Sequence, residues 1–119
     1  MNKALILIEF QQEWLSPDGK LYSLNDNKER LNKSMKQAEK ALVCARKSDY
    51  IVIHSGLSFD RNYQVLGQSS IGLRSRISMR KTFQSNSFGS SFHENFKPKS
   101  NELIVQGRLV FKCFCIIKS

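Results

Sequence analysis

A carboxylate, an imidazole and two neighbouring thiols are the side chains of this 119-residue chain best placed to do chemistry. Glu9 follows the apolar run Ala4 to Ile8 within ALILIEFQQEWL, His54 follows Tyr50 to Ile53, and Cys113 and Cys115 stand two apart near the carboxyl end. A strand apolar on both faces belongs in a parallel sheet covered by helices above and below. Ligands of such sheets collect at the carboxyl ends of the strands. Glu9 and His54 would both stand there. The same positions suit a strand that simply reaches water and a histidine that is only hydrogen-bonded, so location suggests a site without naming a reaction. Cys113 and Cys115 would share one face of a strand, but zinc usually takes four ligands and His54 and His93 are distant in sequence. No metal site is expected from them.

The elements that must position these groups are legible from spacing. Ser16-Pro17-Asp18-Gly19 is a turn signal, and Asp26 with Glu29 resembles a capping box at a helix start. Leu31, Met35, Ala38, Leu42 and Ala45 recur at helical spacing, which predicts a helix over 28–47 with Lys33, Lys36, Lys40 and Arg46 on its other face. Cys44 lies beside the apolar stripe and is read as a small packing residue. Tyr50 to Ser55 is a second buried strand, so strand, helix and strand form a βαβ unit and the fold class is α/β. Residues 56–99 are irregular and rich in Ser, Asn, Gln and Gly, with Phe59, Tyr63, Leu66, Phe83, Phe88, Phe92 and Phe96 interspersed. Such a stretch is expected to pack on its own side chains over the carboxyl edge of the sheet. Residues 101–107 read as a third short strand led in by Glu102. After Leu109 the sequence changes to the apolar, β-prone LVFKCFCII, with no second helix.

Composition narrows the function classes. No apolar run approaches the roughly 20 residues of a membrane span, and no signal peptide is evident, so a cytoplasmic protein is expected. Three cysteines without framework spacing are expected to be reduced. The net charge of +9 is concentrated in residues 61–119, which carry ten of the nineteen Lys/Arg and two of the ten Asp/Glu. These basic residues form no dense run and accompany no nucleic-acid-binding motif, so nucleic acid is not the expected partner.

ALILIEFQQEWLSPDGKLY at 4–22, KALVCARKSDYIVIHSGLSF at 40–59, GLRSRI at 72–77 and SFHENFKPKSNELIVQGRL at 91–109 resemble, in order and spacing, the isochorismatase-like cysteine hydrolases, which include nicotinamidases. The resemblance implies a Rossmann-like three-layer domain, no cofactor, and hydrolysis of a small amide or of the vinyl ether of isochorismate through a cysteine nucleophile. It places Glu9 where the family has an Asp general base. Arg108 falls at the cationic position in the register with the longer match, and Lys81 falls there in a competing one. If Gly107 is read as the family glycine before the reactive thiol, Cys113 falls at the nucleophile position six residues later, but only Phe114 to Ser119 follow it, too few for the helix whose amino end would activate the thiol. In the register that gives Arg108, the family cysteine comes several tens of residues further on and is expected to be absent. The expectation is a shortened member, with residues 1–109 as the family part, 110–119 as a divergent tail, impaired catalysis, and self-association through an unpaired strand edge.

Overall fold

The computed structural model describes residues 2–66 and 72–106. Arg108, Cys113, Cys115 and the tail 110–119 lie outside the described residues. Three strands, β1 (Ala4–Ile8), β2 (Ile51–Gly56) and β3 (Leu103–Gln106), form a parallel sheet in the order β1-β2-β3. Helix α2 (Lys28–Lys47) joins β1 to β2, and two shorter helices, α1 (Gln12–Leu15) and α3 (Gly72–Met79), flank the sheet's carboxyl end in sequence. The predicted βαβ unit is therefore present, and α2 has the predicted bounds.

The helix starts differently from the capping-box expectation. Asn27, not Asp26, is the cap, its side chain accepting the Arg30 N–H at 2.9 Å. The reason is that Asn27 is the residue with extended-type backbone immediately before the first helical turn, where a side-chain oxygen reaches the third N–H. At the other end Arg46 and Lys47 meet the helix dipole.

Packing divides into two groups. Leu7 and Val52 on one sheet face meet Leu42 and Ala45 of α2 and the fully buried Phe96. Residues 57–83 make a second core of Leu57, Phe59, Tyr63, Leu66, Ile77 and Phe83, closed by Leu21 and partly by Trp14. Phe59, Tyr63 and Phe83 of the long irregular stretch pack together as expected, but Phe88 is 52% exposed and Phe96 joins the sheet core, and the stretch contains a helix, α3, that its Ser- and Arg-rich sequence does not announce. Cys44 corrects the packing expectation: it is exposed, turned about 100° round the helix from Ala45 and away from Leu42.

The coverage of β1 also departs from expectation. Strand alternation puts Ala4, Ile6 and Ile8 on the face away from α2, and Ile6 and Ile8 are 50% and 62% exposed. Across the same face Ile51 and Leu103 are 41% and 53% exposed, whereas Ile53, between Ile6 and Leu103 in the register, is 5% exposed. Only one sheet face is layered by helix among the described residues, so β1 is apolar on both sides without being buried on both.

The excursion is tied to the sheet by Gln11, which is completely buried. Its Nε2 donates to Leu57 O and Ser90 O, each at 2.7 Å, and its Oε1 accepts the Leu57 N–H at 2.8 Å. Gly56 allows this approach, since a Cβ there would lie 3.1 Å from the Gln11 amide. Gln11→Ala leaves all three backbone groups buried and unpaired and should lower unfolding free energy by about 2–4 kcal/mol in urea titrations.

Candidate active site

Glu9 stands at the carboxyl end of β1, where the sequence puts it. Its φ of 60° is left-handed, an uncommon conformation for a residue with a side chain. The bend is held by its own N–H, which donates to Ser55 O at 2.7 Å, the last link between β1 and β2. Such strained positions cost roughly 1–3 kcal/mol and gather at functional sites. The bend takes the chain out of the strand, and Gln11 then pairs with Phe92 as the chain enters α1.

Glu9 is half-buried and makes no salt bridge among the described residues. Burial holds its carboxyl above the usual carboxylate range, because the charged form loses water. The Trp14 indole acts in the opposite direction, although its buried N–H makes no hydrogen bond of normal geometry. A carboxylate made more basic by burial suits proton abstraction.

Lys81 is exposed and has φ 52°, and Phe83, two residues later, has φ 53°. Lys81 O accepts from Lys20 Nζ at 2.9 Å. The Phe83 ring packs 5.9 Å from Trp14, so the segment bearing Lys81 rests on the helix that immediately follows Glu9. Glu9 and Lys81 are thereby carried by segments packed on one another through Trp14 and Phe83.

His54 is not part of that arrangement. It is completely buried under α2, and its Nε2 lies 3.0 Å from Glu102 Oε1. Glu102 also takes a two-point bond from Arg46, Nε to Oε2 at 2.9 Å and Nη2 to Oε1 at 2.8 Å, and accepts the Lys99 N–H at 2.8 Å. Since a carboxylate only accepts, His54 donates from Nε2, which leaves buried Nδ1 unpartnered. Arg46 holds the Glu102 carboxyl down to about 2. This is the hydrogen-bonded, structural alternative for His54, and spacing alone missed its partner because Glu102 lies 48 residues away.

Glu13 is a second carboxylate with a structural role. It is buried and accepts the N–H groups of Lys20 at 2.8 Å and Phe83 at 2.9 Å. Among the described residues, no three His, Cys, Asp or Glu side chains gather as a metal site, and no helix is long and apolar enough to cross a membrane.

Residues 3–115, nearly the whole chain, match the isochorismatase domain family. The chain belongs to the isochorismatase family. A comparison with curated protein sequences finds no match. Among solved structures, this isochorismatase-family chain is similar to N-carbamoylsarcosine amidase from Thermoplasma acidophilum, with a TM-score of 0.57 at 18% identity, over 89% of this chain and 51% of that one. It is also similar to the pyrazinamidase of Pyrococcus horikoshii, solved in complex with zinc, with a TM-score of 0.58 at 14% identity and the same coverage of 89% and 51%. At these identities the likeness shows the fold, and the chain spans about half the length of either structure. The donor set among the described residues does not fit a zinc ion.

Proposed function

We propose that this isochorismatase-family chain carries part of a cysteine-hydrolase site for a small amide or a related C–N or ether bond, and that the 119 residues alone do not complete it. Glu9 is the general base by the resemblance, and Cys113 is the nucleophile only in the register that takes Gly107 as the glycine before the thiol, not in the one that puts Arg108 at the cation. For an amide, Glu9 takes the thiol proton, the thiolate attacks the carbonyl carbon, and a cation balances the oxyanion. Glu9 then returns the proton to the leaving amine, and water hydrolyses the thioester. Arg108 is the cation in the register with the longer match. Lys81 gains support from its left-handed backbone and from the packing of its segment beside Glu9.

The observation that carries this reading is Glu9 itself: a half-buried carboxylate, raised in pKa, at a strained bend where β1 surfaces. Incompleteness is supported by the exposure of Ile6, Ile8, Ile51 and Leu103 around the buried Ile53 on one sheet face. The extra methylene of Glu9 relative to the Asp of the resemblance adds to it, because misplacement by about 1 Å can cost a hundredfold in rate.

The 119-residue chain is expected to show no turnover of nicotinamide, pyrazinamide or N-carbamoylsarcosine above the buffer rate. The Cys113 thiol should label with an ordinary midpoint near about pH 8–9. Turnover removed by Cys113→Ala would overturn the inactive reading and establish the nucleophile. A second reading, self-association of a non-catalytic chain, is favoured by one observation: β1 bonds to a neighbour on one side only among the described residues.

A further inference from the structure

We infer that β1 is the contact strand of a two-fold symmetric dimer, pairing antiparallel with β1 of a second copy about Ile6, with Lys3 opposite the partner's Glu9. The inference rests on the self-association reading above and gives it a geometry. Lys3 O accepts from Ile51 N at 2.9 Å and Glu9 N donates to Ser55 O, so the odd-numbered positions of this stretch turn their backbone groups toward β2. Alternation then turns the N–H and C=O groups of Ala4, Ile6 and Ile8 outward, along the edge unpaired among the described residues.

Nothing within β1 guards that edge. The strand reads ALILI, with no proline, inward charge or bulge, which is the composition that invites another strand. Charge stands only at its two ends, Lys3 before and Glu9 after.

That arrangement selects one register. Centred on Ile6, antiparallel pairing sets Ile6 against the partner's Ile6, Ala4 against the partner's Ile8, and Leu5 against the partner's Leu7. Both ends then bring Lys3 to the partner's Glu9, so the self-complementary interface of a two-fold dimer places opposite charges twice. A shift by two residues in either direction loses both charge pairs, and a shift by one turns the apolar side chains to opposite faces. Glu9 leaves strand geometry at φ 60°, so its pairing with the partner's Lys3 runs through side chains. Lys3 is available: its Nζ rests only 5.9 Å from the Tyr50 ring centroid. Pairing would also set the exposed Ile6 and Ile8 beside the partner's Ile6 and the partner's Ala4 on the same sheet face.

The test is sedimentation of the full chain across a concentration series, with K3E, E9K, the K3E/E9K double variant and Ile6→Lys, each checked for folding by circular dichroism. A reversible dimer is expected. K3E or E9K alone should weaken it roughly tenfold, since each turns two attractive pairs into repulsive ones, and the double variant should return to within about threefold of the parent. Ile6→Lys, which sets like charges across the axis, should give a monomer. A dimer indifferent to all four changes would overturn this interface while leaving self-association standing. A monomer at every concentration would overturn both.

Discussion

Glu102→Ala should lower the unfolding free energy of this chain by about 2–4 kcal/mol. Glu102 joins three elements at one point: Arg46 near the end of α2, His54 in β2, and the turn at Lys99 that leads into β3. Removing one partner of a buried charged network leaves the others desolvated without compensation, which costs more than the pair contributed when intact. His54 would then have neither ring nitrogen satisfied, since Nδ1 already lacks a partner. Arg46 moderates the loss because its side chain is 22% accessible and water can take over part of the guanidinium.

The same carboxylate sets an acid limit. Its folded pKa of about 2 lies below the ordinary 4.5, so its contribution is fully present above about pH 5 and is lost as pH falls towards 2. Solvent at Arg46 reduces that contribution to about 1–2 kcal/mol. Urea titrations from pH 7 to pH 3 should show a steeper loss of stability in the parent than in Glu102→Gln. Equal slopes would remove the network from the account. An Arg46→Ala background should also shrink the cost of Glu102→Ala, as expected for coupled residues.

Glu13→Ala should be comparably damaging, at about 3–4 kcal/mol, and should lower Tm by about 10–20 °C. The Glu13 carboxylate receives two backbone N–H groups, one from the turn after α1 and one from Phe83. Both bonds are to a charged acceptor, roughly twice as strong as neutral ones. The Phe83 end is inaccessible to water, so its N–H has no substitute acceptor. Gly89 makes room for the carboxylate: a Cβ there would lie 2.0 Å from Glu13 Oε2. Gly89→Ala should therefore displace the same carboxylate, and Glu13→Gln, which keeps one acceptor oxygen, should fall between parent and Glu13→Ala. Thermal melts followed by circular dichroism rank the three.

What the sequence disclosed and what it hid divide by the range of the interaction. Helix α2 was legible because Leu31 through Ala45 repeat at helical spacing, and the strands because their apolar runs are short and bounded by turns. The family was legible because its segments recur in order over most of the chain. Glu9 was found because it ends an apolar run. Glu13 and Glu102 were passed over, since their partners lie up to 70 and 56 residues away and nothing local marks either carboxylate as buried. Helix α3 offered no apolar repeat to read, Ser75 and Ile77 being the buried positions among those described. The bare face of β1 was hidden for another reason: an apolar side chain states a preference for burial, and only tertiary structure says whether a layer is there to meet it.

The separation of the two cores has its own bearing on motion. Among the described residues, the aromatic group around Phe83 and the aliphatic group around Leu42 share no buried side chain. Across the gap, Gln11 and Glu13 link the α1 region to segments that pack with the aromatic group. A region packed mainly on itself and fastened by a few polar clasps can open as a cooperative unit while the βαβ unit stays folded. Amide exchange should then show the 57–92 region releasing its protons together, ahead of α2 and β2.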